Sequence, residues 1–117
     1  MSAPNVKLIV RKPDANVSVI DIAGEVNGFA ENQLMDAYAE ATSDGARAIV
    51  LNFVDLEYMN SSGIGLLVTM LIRVQRQQRR LLAYGLTDHY KEIFQLTRLN
   101  EAINIYGDEA EALAAVQ

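Results

Sequence analysis

The chain of 117 residues has no cysteine, no tryptophan, one histidine and two prolines. Lack of cysteine removes disulfides, thiolate metal sites and cysteine nucleophiles together, and is compatible with a reducing cytoplasm. The single histidine, His89, has neither cysteine nor a clustered carboxylate pair to complete a metal site, and is read as a surface residue. Positive charge is scarce too. Ten basic against fifteen acidic residues leave a formal net charge of -5, which argues against a nucleic-acid binder, whose affinity rests on neutralising phosphates. No apolar run approaches the ~18 residues that cross a bilayer, and residues 1–5 carry neither the basic nor the apolar part of a secretion signal. The expectation is a cytoplasmic protein with no membrane insertion.

What is present suits one globular domain over residues 1–117: half the residues are hydrophobic and 21% are charged, enough for one core without a second. The acidic excess is uneven. Before Ser61 stand nine acids and four bases, after it six of each, so the N-terminal half carries either a solvated acidic face or a partner surface.

Residues 6–11 alternate around Val6, Leu8 and Val10, and residues 17–23 around Val17, Val19 and either Ile20 or Ile22. These read as two strands joined by a reversal at Lys12-Pro13-Asp14-Ala15-Asn16. Gly24-Glu25-Val26-Asn27-Gly28 reads as a loop. Ala30, Leu34, Ala37, Tyr38 and Ala41 then recur at helical spacing, ending near Ser43-Asp44-Gly45. The run Ala48-Ile49-Val50-Leu51-Asn52-Phe53 is nearly all apolar, as in a central strand, and Asp55-Leu56-Glu57-Tyr58 carries the chain off its end.

A second helix is expected over residues 62–78, with Ile64, Leu67, Val68 and Leu71 inward and Leu66 and Met70 on another stripe. That stripe is either a further buried side or an exposed apolar strip for docking. Arg73, Arg76, Arg79 and Arg80 gather at its end, where cations complement the helix dipole. A short strand at Leu81 to Tyr84, a helix opened by Thr87, an extended piece at Ile103, Ile105 and Tyr106, and a closing helix capped by Asp108 complete the chain. The expected fold is α/β, β-β-α-β-α-β-α-β-α, with a mixed, mostly parallel sheet of four to five strands and about four helices.

The stretch Tyr58-Met59-Asn60-Ser61-Ser62-Gly63-Ile64-Gly65 joins the central strand to the second helix. The first N–H groups of a helix lack intrahelical partners and carry partial positive charge, so the site is receptive to anions. Ser61 and Ser62 can simply cap those donors, or one hydroxyl can stand exposed and carry a phosphate. Catalytic machinery is missing: Asn60-Ser61-Ser62-Gly63 is not a Gly-x-Ser-x-Gly elbow, and neither Gly-x-Gly-x-x-Gly nor Gly-Lys-Ser/Thr occurs. The chain is therefore read as a non-enzyme without cofactor or metal.

Three blocks resemble the STAS domain family (sulphate transporter and anti-sigma factor antagonist), and within it the bacterial anti-sigma factor antagonists. Ala23-Gly24-Glu25-Val26-Asn27 resembles the family's Gly-Glu-Leu-Asp loop. The block from Val50 through Asn60-Ser61-Ser62-Gly63-Ile64-Gly65 resembles its phosphorylation segment. Phe94-Gln95-Leu96-Thr97-Arg98-Leu99 with Ile105-Tyr106 resembles its C-terminal signature.

The resemblance implies a protein that binds an anti-sigma factor, itself a serine kinase, to release a sigma factor. It also implies release of that complex by phosphorylation of Ser61 and restoration by a serine phosphatase. With the apolar strip of Leu66 and Met70 added, the expected partner surface comprises Asn27, Asn60, Ser61, Ser62, Gly63, Leu66 and Met70. Asn60 and Asn27 stand where the family usually has aspartates, and Asn27 is expected near Asn60. A STAS scaffold or docking module that is never phosphorylated stays open as an alternative, as does, further off, a nucleotide binder at the same helix start.

Overall fold

The computed structural model describes residues 5–116. Residues 1–4 and 117, which the expected domain includes, lie outside the described residues.

Strands β1 (Val6–Asp14) and β2 (Val17–Val26) form an antiparallel hairpin. The reversal is shorter than expected. β1 continues to Asp14, and Pro13 sits in an irregular stretch of this edge strand, where a missing N–H breaks no central ladder. Asn16 N–H donates to Asp14 Oδ1 at 2.7 Å to close the turn. On β2 the choice between Ile20 and Ile22 dissolves, because both are buried on one face while Val17 and Val19 are buried on the other.

The remaining strands are β3 (Ala48–Asn52), β4 (Leu56–Met59), β5 (Arg80–Tyr84) and β6 (Asn104–Tyr106), all parallel to their neighbours. The order is β1-β2-β3-β5-β6, with β4 pairing the far end of β2. Among the described residues four α-helices, α1 (Glu31–Thr42), α2 (Ser61–Arg76), α3 (Asp88–Leu96) and α4 (Glu109–Ala114), complete the expected α/β architecture.

The strand count is a correction. Among the described residues the sheet has six strands rather than four to five, and the extra one is β4, made from the segment read as a connection. It pairs Gly24, Glu25 and Val26, themselves read as loop, with Leu56, Tyr58 and Met59. The chain leaves β3, turns over Phe53 to Asp55, and then runs on along β2.

The sheet separates two clusters. Ile20, Ile22, Ile49, Leu51, Leu81 and Ala83 face α1, α2 and α3, whose Leu34, Tyr38, Leu67, Met70 and Phe94 complete the main core. Each such large side chain contributes about 1.5–3 kcal/mol by leaving water. Val17, Val19, Ala48, Val50, Leu82 and Tyr84 face the other way, against Ala112 of α4.

The short α4 is tied down by charge. Arg11 binds Asp21 of β2 at 2.7 Å and Glu109 at 2.6 Å, and Tyr84 Oη–H donates to Glu109 at 2.7 Å. The guanidinium holds both carboxyls below the usual carboxylate range, and burial, followed by the bond to Glu109, pushes the Tyr84 phenol up. Beyond α2, Arg79 donates to the Ala46 carbonyl and Arg80, the first residue of β5, to that of Ala115, so these two arginines anchor backbone.

Candidate functional site

The register of β2 and β4 assembles the site. Val26 pairs with Met59, and the residue after each is an asparagine, so Asn27 and Asn60 leave the sheet side by side. Asn60 N–H donates to the Val26 carbonyl at 3.3 Å. The end of β4 is held from α3, where the buried Tyr90 hydroxyl accepts from Met59 N–H at 2.8 Å. Asn27 Oδ1 accepts from Phe29 N–H at 2.9 Å and opens a 3-10 turn over Gly28–Ala30. That turn lies against α2: a Cβ built on Gly28 would stand 3.6 Å from Ser62 Cβ.

Helix α2 begins at Ser61, and its cap is neither serine. Asn60, with extended backbone, accepts from Gly63 N–H through Oδ1 at 2.8 Å. Asparagine caps as well as aspartate or serine does. Ser61 and Ser62 are therefore both exposed, with hydroxyls not committed to the cap. An asparagine cap also adds no negative charge, and α2 has no acid in its first turn, so the positive end of the helix dipole is left uncompensated beside Ser61.

Asn27, Asn60, Ser61 and Ser62 thus come together as expected, and the other three residues assigned to the partner surface need correction. Gly63 is buried: a Cβ there would lie 2.2 Å from the Val26 carbonyl oxygen and 2.8 Å from Met59 Cγ. Leu66 and Met70 are buried as well, at 8% and 0% exposure, while Val68, expected inward, is 39% exposed.

The physical reason is the phase of the helix. Because β2 admits only a glycine at this contact, Gly63 must face the sheet, and the positions three, four, seven, eight and eleven beyond it are Leu66, Leu67, Met70, Leu71 and Val74, all buried. The opposite stripe, starting at Ser61, runs through Gly65, Val68, Thr69 and Ile72, each exposed. Ile72 is 44% exposed and Phe29, on the adjoining turn, 63%. Sequence reading did not single out Phe29 or Ile72. An aromatic directly after Asn27-Gly28, and a helical phase counted from Gly63 instead of Ile64, were the signals that would have found them.

His89 is exposed and stacks edge-to-face on Tyr90 at 4.9 Å. Among the described residues no group of three or more histidine, cysteine, aspartate or glutamate side chains is placed to hold a metal, and no helix is long and apolar enough to cross a membrane.

Comparison with known proteins agrees with this fold. The Listeria monocytogenes anti-sigma-B factor antagonist is 23% identical over 107 residues, covering 92% of this chain and 94% of that protein. A crystal structure of an anti-sigma factor antagonist from Mycobacterium paratuberculosis superposes with a TM-score of 0.81 at 23% identity, covering 99% of this chain and 98% of that one. The Bacillus cell fate determinant SpoIIAA in its phosphorylated form gives a TM-score of 0.74 at 23% identity, over 95% of this chain and all of the other. The model of the STAS domain matches residues 8–112. The chain belongs to the STAS domain family.

Proposed function

We propose that this protein is an anti-sigma factor antagonist, a non-enzymatic binding protein of the cytoplasm. In this reading it docks an anti-sigma factor that is itself a serine kinase, and so releases a sigma factor. Phosphorylation of Ser61 ends the complex, and a serine phosphatase restores it. The observation that carries the reading is the exposed Ser61 hydroxyl at the start of α2, relieved of capping by Asn60. The relatives' names give it its partner class.

The chemistry follows from charge. A phosphate on Ser61 adds ~1.5–2 negative charges at a helix N-terminus that favours them by about 0.3–1 kcal/mol, so the fold tolerates the modification. A docked partner does not, because the same charge would be desolvated without a counter-ion. The docking surface in this reading is Phe29, Ser61, Ser62, Val68 and Ile72, in place of Leu66 and Met70.

Incubation with a cognate kinase anti-sigma factor and ATP, followed by peptide mapping, tests it: phosphate is expected on Ser61. Ser61→Asp is expected to weaken binding of that factor about tenfold or more, ~1.4 kcal/mol, with unchanged folding, while Ser61→Ala binds and is not released. Equal affinities for the two variants, with no phosphate on Ser61, would leave a STAS docking module without a switch.

A further inference from the structure

Asn27 is the only asparagine of the chain followed by glycine, and it adjoins the Ser61 site. We propose that Asn27 is a self-modifying position: in the folded protein its amide converts to a carboxylate through a cyclic imide formed with the Gly28 nitrogen, and the isoaspartate product disturbs the Ser61 latch. The second half rests on the functional reading above; the first does not.

The chemistry needs a nucleophilic backbone nitrogen, an activated amide carbonyl and room to close a five-membered ring, and the structure supplies each. Gly28 is exposed and has no Cβ to obstruct approach. As the first residue of the 3-10 turn its N–H has no partner within that turn, and it makes no other hydrogen bond among the described residues. The carbonyl to be attacked is polarised, since Asn27 Oδ1 accepts from Phe29 N–H at 2.9 Å and that donor also stabilises charge growing on the oxygen. The backbone of Asn27 is extended (φ -136, ψ -174). Ring closure requires rotation about ψ, and the last strand pair, Val26 with Met59, precedes it, so the three-residue turn absorbs the motion.

The reaction balances without an oxidant or cofactor. Base removes the Gly28 amide proton, the nitrogen attacks Asn27 Cγ, and the Cγ–Nδ2 bond breaks with departure of ammonia. Water then opens the imide. Opening at Cγ leaves aspartate, and opening at the Asn27 backbone carbonyl leaves isoaspartate, with the chain continuing through the side chain. Either product places a negative charge next to Asn60 and Ser61. The isoaspartate also adds a backbone carbon, which displaces Gly28 from Ser62.

The intact protein, held in warm, mildly alkaline buffer and sampled by peptide mapping, is expected to gain the mass of amide-to-acid conversion at Asn27 ahead of every other asparagine, with isoaspartate among the products. Gly28→Ala is expected to lose the conversion. Its methyl would meet Ser62 Cβ at 3.6 Å, ordinary contact, so the variant folds. An Asn27 that keeps its amide while a short peptide of the same sequence converts would overturn the proposal, and this readout uses no partner. Its consequence is read as binding of the kinase anti-sigma factor. Aged wild-type protein is expected to lose binding that aged Gly28→Ala keeps. Aged wild-type protein that binds as well as aged Gly28→Ala would overturn the effect on the latch. A chain never phosphorylated on Ser61, with Asn27 still converting, would instead fault the functional reading.

Discussion

Gly63 and Gly65 are separated by one residue in α2, and they mark its two faces. At Gly63 the helix comes so close to β2 that an added methyl would lie 2.2 Å from the Val26 carbonyl oxygen; at Gly65 it would meet nothing within 4 Å. The first face is the protein's packing constraint, continuing through Leu66, Leu67, Met70, Leu71 and Val74. The second continues from Ser61 through Val68, Thr69 and Ile72 into solvent. Two residues of one type thus report opposite pressures. One is the closeness of packing that sets the helix phase, and the other is the openness that a docking surface requires.

The largest expected effect breaks the first face. Gly63→Ala puts a methyl into a backbone carbonyl that cannot step aside without opening the Val26–Met59 pairing, and overpacking of this kind costs about 3 kcal/mol. Urea denaturation should show that loss of stability. Since Asn60 caps through Gly63 N–H, the variant should also expose the start of α2 to faster amide hydrogen exchange. A variant as stable as the parent would mean that the phase of α2 is set elsewhere.

A smaller effect sharpens the second face. Val68→Gln with Ile72→Gln replaces exposed apolar groups by good helix formers, so stability should shift by no more than ~0.5 kcal/mol. Affinity for a kinase anti-sigma factor should fall about tenfold, ~1.4 kcal/mol. Ile72 lies eleven residues from Ser61, roughly 16 Å along the helix, within the reach of an interface burying ~800 Å² per partner. Unchanged binding, measured calorimetrically, would confine the docking surface to the helix start and Phe29.

The same contrast explains what could be read from the sequence. Strands β3 and β5 were legible because burial on both faces makes their residues apolar in a run. Ser61 was legible as a helix start because a strand, a polar turn and an amphipathic run follow one another locally. The phase of α2 was not. The stripe through Ile64, Leu67, Val68 and Leu71 and the stripe through Leu66, Leu67, Met70 and Leu71 share two members, and both satisfy helical spacing. What decides between them is the non-local contact of Gly63 with Val26. β4 was hidden for the same reason, as four residues with only Met59 fully buried, recognisable as a strand only beside Gly24, Glu25 and Val26. The cap was misassigned between candidates of nearly equal strength: asparagine, serine and aspartate all cap well, and the β2–β4 register placed Asn60 there.

The smallest effect tests the openness of the second face directly. Gly65→Ala adds a methyl to an exposed helix position with no neighbour within 4 Å and no left-handed backbone to strain. Alanine is favoured over glycine in a helix by ~0.8–1 kcal/mol, so this variant should be more stable in urea by about that amount, opposite in sign to Gly63→Ala. In the complex the same methyl lies one turn from Ser61, on the stripe assigned to docking. A partner that packs closely there should bind the stabilised variant less tightly than the parent, and greater stability with undiminished affinity would show that the partner stands off from the helix at this point.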